Sequence, residues 1–371
     1  MQADPGWHGE FAGIAILPRM QTLLPLFCTQ SLALTANAAR RVTGSLLLLV
    51  VLGQACGGVG AAQGADTARG VPTAAARAAA LADPQTAKIM ARLSALSADS
   101  MEGRLVGSPG GARARGWIIR ELQSIGVSPI AGAPMNGSYE QPVKFQGRNG
   151  STITGANIVA RIPGRLPAVP AIVLSAHYDH LGTRNGVVYN GADDDASGCI
   201  ALLTVAERLK KSGTEHDVIL VFFDAEESNL VGANAFVEAS AVPLAQVAID
   251  INLDMVSRQD GGALWVSGVS HYAFLKNIVE PVAQRAKVKI LLGHDTKNLK
   301  PGDDWTNSSD QGAFNRKGIP FLYLGVEDHS DYHKPGDDAE KIDPAFYRNV
   351  IDFAEALLRA VDANVKTFPA R

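Results

Sequence analysis

Histidines and carboxylates stand in five short strings of this sequence, and three of those strings begin where an apolar, β-rich run ends. His177-Tyr178-Asp179 follows the run 171–176, Asp224-Ala225-Glu226-Glu227 follows 217–223, and Asp254 follows 247–253. Between the first two lies Gly191-Ala192-Asp193-Asp194-Asp195-Ala196-Ser197-Gly198, and far along comes Asp331-Tyr332-His333-Lys334-Pro335. Carboxylates this dense repel one another and are costly to bury unpaired. Cations resolve that conflict, and two histidines with several carboxylates suit borderline metals, zinc above all. Taken singly, Asp193 or Asp195 reads as a helix cap or a surface charge.

The elements around these strings explain why they meet. Helices are predicted over 84–98, 110–125, 197–211, 232–239, 271–286 and 344–363, and strands over 171–176, 217–223, 247–253, 263–269 and 319–325. Short strands separated by Pro and Gly fill 127–170. Met101-Glu102-Gly103-Arg104 reads as a charged loop between the first two helices. Strands alternating with helices imply an α/β fold with a mixed, largely parallel central sheet and helices on both faces. Ligands bind such sheets outside the carboxyl ends of the strands, where these histidines and acids stand.

The five ordered strings resemble a known family, the zinc metallopeptidases of family 28, whose best-known members are bacterial dizinc aminopeptidases. The resemblance runs over about residues 85–365. It rests on Ser175-Ala176-His177-Tyr178-Asp179, on Asn190 through Gly198, on Phe222-Phe223-Asp224-Ala225-Glu226-Glu227, on Asn252-Leu253-Asp254, and on Tyr332-His333 with Pro335-Gly336-Asp337-Asp338. It implies a zinc exopeptidase of phosphorylase/hydrolase-like fold that holds two zinc ions and takes a peptide substrate. Carried over by position, Asp194 bridges both ions, His177 and Asp254 complete one, and Glu227 and His333 complete the other. Glu226 is then the general base, Asp179 the group that holds the far nitrogen of His177, and Tyr332 a donor to the oxyanion. The family often holds a cis peptide after its bridging aspartate, here Asp194–Asp195.

Two departures stand out. Ser309-Asp310-Gln311 replaces the family's Ser-Asp-His, and 130–157 is too short for a protease-associated insert. The same core serves dipeptidases and carboxypeptidases, which need a cation for the substrate carboxylate; Arg184 and Arg258 are candidates. Glutaminyl cyclases share a related scaffold with one working zinc, and receptor relatives have lost metal ligands. His180, His216, His271, His294 and His329 read as surface or packing residues. The loop with His294-Asp295 and Asp303-Asp304-Trp305 is expected to border the substrate pocket.

With 371 residues, 46% apolar content and a formal net charge of -3, the chain suits one large domain and lacks the basic stripe of a nucleic-acid binder. Arg40-Arg41, the run 46–52 and the small residues up to Cys56 describe a secretory or lipoprotein signal over 40–56. Residues 1–39 then read as an over-long gene start, 57–83 as a flexible linker and 84–371 as a single peptidase domain. The protein is expected to be exported: periplasmic, extracellular, or attached to a membrane only through a lipid on Cys56. Cys28, Cys56 and Cys199 match neither a zinc-finger spacing nor a disulfide framework, and Cys199 reads as a small core residue.

Overall fold

Nine strands form one sheet, numbered here β1 (Ser128–Pro129), β2 (Glu140–Gln146), β3 (Thr152–Ile162), β4 (Ala171–His177), β5 (Val218–Phe223), β6 (Val247–Leu253), β7 (Leu264–Ser267), β8 (Ile290–Leu292) and β9 (Phe321–Gly325). The order is β1-β3-β5-β4-β6-β9-β7-β8, with β2 paired to β3 at the edge. The central four, β5, β4, β6 and β9, run parallel, while β1, β2, β3 and the β9–β7 pair are antiparallel. Every residue of β4, β5 and β6 is buried; β5 is an unbroken apolar run, while Ser175 of β4 and Asp250 and Asn252 of β6 are buried polar groups joined through the Ser175 hydroxyl. Pro142 is tolerated because β2 is an edge strand.

This computed structural model describes residues 71–131, 135–166, 170–300 and 302–370. They belong to one compact unit, Gly64–Arg371. The expected gene start 1–39, the signal 40–56 and Cys56 lie outside the described residues. Among the described residues no helix is long and apolar enough to cross a membrane.

Helices cover both faces. α1 (Ala74–Leu81), α2 (Pro84–Leu96), α3 (Pro109–Ser124), α4 (Gly198–Ser212), α5 (Val231–Glu238), α6 (Ala273–Ala283), α7 (Gln311–Arg316) and α8 (Pro344–Asn364) follow in chain order. α2, α3 and α8 start alike: Asp83, Ser108 and Asp343 cap them, each followed by Pro at the first helical position. α2, α3, α4, α6 and α8 pack with the sheet into the larger core, and Phe236 of α5 and Phe314 of α7 pack into a second core.

α1 corrects the expectation of a flexible linker up to residue 83. No residue of α1 is buried, so it carries no apolar stripe to betray it. It is fixed by the Thr73 cap and by Arg77, whose guanidinium donates to the carbonyls of Ala339, Glu340 and Ile342. Between 130 and 157 the described residues form β2 and the start of β3.

Candidate metal centre

β4 ends on His177, β6 runs directly into Asp254, and β5 is followed by Asp224 and a left-handed Ala225 (φ 59°) that starts a single tight turn, Glu226–Ser228. The irregular turn Ala192–Ser197 leads into α4, and its Asp194–Asp195 peptide is cis. Glycine is required at both ends of it. Gly191 has φ 55°, and a Cβ there would lie 2.1 Å from the Asp194 carbonyl oxygen. A Cβ on Gly198 would lie 2.3 Å from the Leu253 carbonyl oxygen.

The fold brings the five residues expected to ligate metal to one place. His177 Nε2 lies 3.3 Å from Asp194 Oδ1 and 3.4 Å from Asp254 Oδ1. His333 Nε2 lies 3.1 Å from Asp194 Oδ2 and 3.3 Å from Glu227 Oε2. The two oxygens of Asp194 thus face two different donor groups. A tetrahedral zinc with donors at about 2.0–2.2 Å separates neighbouring donors by about 3.3–3.6 Å; three of these separations match, and His333 to Asp194 is slightly closer. Glu227 Oε1 and Asp254 Oδ1 are buried without a hydrogen-bond partner. Oxygens orphaned in this way are expensive unless a cation takes them. The residues present therefore fit zinc.

The flanking aspartates point away from that centre. Asp193 accepts from the Ser257 amide at 2.7 Å and hydroxyl at 2.6 Å, with His329 Nε2 3.3 Å from its other oxygen. Asp195 accepts from the amides of His177, Gly198 and Met255. Asp337, from the Pro335-Gly336-Asp337-Asp338 string, accepts from the amides of Asp193 and Asp194. Burial, then the nearby Asp193, raises the Asp337 carboxyl to about 6.

Arg104 is fully buried, not the exposed loop charge its surroundings in sequence suggest. Its guanidinium donates to the carbonyls of Tyr178 (2.7 Å), Asn190 (2.5 Å) and Gly191 (2.8 Å), and reaches those of Leu96 and Asp194. One side chain so ties the end of β4 to the turn that carries Asp194. His180 is a second correction. It is fully buried, with Nδ1 2.9 Å from Glu227 Oε1 and 3.7 Å from Asp194 Oδ2. The approach lies off the N–H direction, so neither of its ring nitrogens has a hydrogen-bond partner. His180, Asp194 and Glu227 together form a further metal-sized trio.

The expected catalytic residues are placed as follows. Asp179 turns its carboxylate to the Glu226 amide at 2.9 Å; it is 3.6 Å from His177 Nδ1, too far for a hydrogen bond, and the Asp179 backbone oxygen is nearer at 3.2 Å. Glu226 is pushed well above the usual carboxylate range by burial and by the acids Asp310, Asp254 and Glu227, against the opposing pull of His177. Asp310 is itself buried with both oxygens unpartnered. Tyr332 stacks on the His333 ring at 3.9 Å. Burial, with Asp194 and Asp254 nearby, raises its hydroxyl, so it stays a proton donor.

Burial alone would lower both histidines, but the carboxylates outweigh it. His177 rises well above its ordinary value and His333 to about 10. Of the cations weighed for a substrate carboxylate, Arg258 is buried against Asp260 and Asp331, and Arg184 lies over the Tyr189 ring. Gln311 is held between Asn252 Nδ2 and the Trp305 carbonyl. Cys199 is buried, as expected of a core residue. A cleft of 580 Å³ opens beside Glu226, Glu227 and Tyr332, walled by Asn229, Asn234 and Arg316 among others. Of the expected bordering loop, only its end contributes, through Asn307 and Ser308. His294 instead stacks on Trp305 at 3.7 Å.

Known proteins share this arrangement of elements. Aminopeptidase YwaD of Bacillus subtilis is 27% identical over 228 residues, 59% of this chain and 47% of that protein. The chain spans less than half the length of the curated relatives it matches. Among solved structures, the zinc aminopeptidase BSAP of Bacillus subtilis has a TM-score of 0.57 at 16% identity, covering 74% of this chain and 94% of that one. Porphyromonas gingivalis glutaminyl cyclase has a TM-score of 0.59 at 20% identity, covering 75% and 98%. At such identities these likenesses speak to the fold. The sequence profile of Peptidase family M28 matches residues 157–358, more than half of the chain and every one of the five converging donors. The chain belongs to Peptidase family M28.

Proposed function

We propose that the chain is a zinc-dependent exopeptidase that removes residues from the amino termini of peptides, with two zinc ions held around Asp194. The observation that carries this reading is the split of the Asp194 carboxylate. One oxygen faces His177 and Asp254, and the other faces His333 and Glu227. In this reading each ion has two terminal protein donors and a share of the bridge. Two bound zinc ions supply Lewis acidity toward the scissile carbonyl and a hydroxide nucleophile near neutral pH.

The chain's own residues supply the rest. Glu226 lines the cleft beside Glu227, where its carboxylate is placed to accept the proton of the attacking water and return it to the leaving amine. Asp179 fixes the Glu226 backbone by accepting its amide hydrogen. Tyr332 offers its hydroxyl to the oxyanion as the carbonyl becomes tetrahedral. Arg104 and Asp337 hold the Asp194 turn in register with β4. Two donor groups, rather than one, favour this reading over a cyclase with a single working zinc. The aminopeptidase name of a relative points the same way. Export remains part of the proposal and rests on the 40–56 segment.

The test is hydrolysis by the zinc-loaded protein of aminoacyl nitroanilides and of the same peptides with a blocked amino group. Cleavage of the free-amine substrates alone supports the reading. Equal cleavage of the blocked ones rejects an aminopeptidase.

A further inference from the structure

Arg316 is the cation of the cleft beside Glu226. Glu226 and Glu227 mark one end of that cleft, and the remaining wall is mainly polar and neutral, with Asn229, Asn234 and Asn307. A pocket built for a large aliphatic side chain would be lined mostly by apolar groups. Here Leu230 and Tyr332 are the apolar or aromatic contributors.

The guanidinium is held but not neutralised. Its Nη2 donates to Asn234 Oδ1 at 2.8 Å. Its Nη1 lies 3.2 Å from where a Cβ would sit on Gly312, one turn back along α7, so the absent side chain leaves room for the arginine to fold over the helix. Among the described residues no carboxylate pairs with it, whereas Arg258 and Arg208 are each paired with two. The residue is exposed at the cleft wall, and an unpaired guanidinium anchored at one nitrogen presents its remaining donors in the planar fork that matches a carboxylate. Arg316 and Glu226 both line this one cleft of 580 Å³. A group on Arg316 and a peptide bond beside Glu226 therefore belong to one small substrate.

We propose that this cleft selects peptides bearing a carboxylate that docks on Arg316. The carboxylate comes either from the free carboxyl end of a di- or tripeptide or from an Asp or Glu side chain. The proposal rests on the reading of Glu226 and the two donor groups as a peptidase centre, and it adds the substrate class.

The test compares zinc-loaded wild type with Arg316→Gln and Arg316→Lys on two matched pairs. Alanyl-alanine against alanyl-alanine amide probes the free carboxyl end, and glutamyl against glutaminyl nitroanilide probes the side chain. The expected result is a preference of about ten- to hundredfold for the charged member of one pair, carried mostly in KM. Arg316→Gln brings that ratio toward one, and Arg316→Lys retains part of it. The pair that responds identifies the source. Calorimetric binding of free glutamate against glutamine, and of alanyl-alanine against its amide, to the same three proteins reads the preference without turnover. Arg316-dependent binding in a protein that hydrolyses nothing supports the carboxylate site while rejecting the peptidase reading. Hydrolysis with no preference in either pair, or a preference that survives Arg316→Gln, overturns the site and leaves the peptidase reading standing.

Discussion

The donor group at the end of the sheet and the donor group completed by a loop hold similar distances in very different surroundings. His177 and Asp254 continue two adjacent, fully buried strands and are 1% and 8% exposed. His333 comes from the stretch after β9, takes a left-handed backbone (φ 55°), and its side chain is 40% exposed. The first group is fixed by the sheet itself. The second depends on a loop that also walls the cleft. An ion at the loop group should therefore exchange more readily than one at the sheet group, and substrate should arrive from the loop side.

Asp194→Ala breaks the comparison outright, because the shared carboxylate belongs to both groups. Zinc bound per chain should fall at both, and kcat/KM should drop by more than about 10³-fold, since water activation and carbonyl polarisation are lost together. Metal analysis that finds full occupancy would show that Asp194 is not shared. Glu226→Gln should leave the zinc content of both groups intact while lowering kcat by about 10²–10⁴-fold. A variant keeping a tenth of wild-type kcat would remove Glu226 from the chemistry.

His180→Ser sharpens the contrast, because His180 stands against Glu227 and Asp194 and not against Asp254. Partners of metal-ligating groups are typically worth about 10–100-fold in affinity. In a chelator competition resolving two phases, only the weaker phase should move. An equal shift of both would mean that His180 acts on the whole centre.

An effect of similar size is expected in pH. His333 is raised to about 10 without metal, so it holds its proton at neutrality and must release it to bind zinc. Affinity at the loop group should therefore climb between pH 6 and 8 by about tenfold per unit for each proton released. In the metal-free protein the sign is opposite. The raised His333 contributes stability fully present below its unfolded value and lost as pH rises through about 10. A zinc affinity flat across that range would contradict the proton assignment.

Three of the five donors, His177, Glu227 and Asp254, were legible with their strands because each stands at or just past the end of a β-rich run, whereas Asp194 and His333 were legible only through the family resemblance. Helix starts were legible within a residue or two where Pro follows Asp or Ser. What escaped is what long-range docking decides. His180 sits three residues after His177 and looks like any packing histidine until the turn at Gly191 closes on its ring, where a Cβ would come within 2.6 Å. Asp179 stands between two groups that are far apart in sequence: its Oδ1 accepts from the Glu226 amide at 2.9 Å and lies 3.6 Å from His177 Nδ1. Arg316 stands alone in a short helix, and its meaning comes only from Asn234, far away in sequence. α1 has no buried face and left no periodic trace.

Arg104 gives the molecule an order of assembly. Its acceptors on the Asp194 turn lie 86 to 90 residues further along the chain, and that turn is clamped from the other side by Asp337, another 143 to 144 residues on. A growing chain that has only just emerged through Asp254 holds four of the five donors but has nothing to clamp the turn from beyond. Closing loops of that length is slow compared with forming a local helix. Zinc capture should accordingly come late, after Arg104 and Asp337 have both docked on the turn. Residues 157–358 alone, though they contain every donor, lack Arg104 and should load metal poorly.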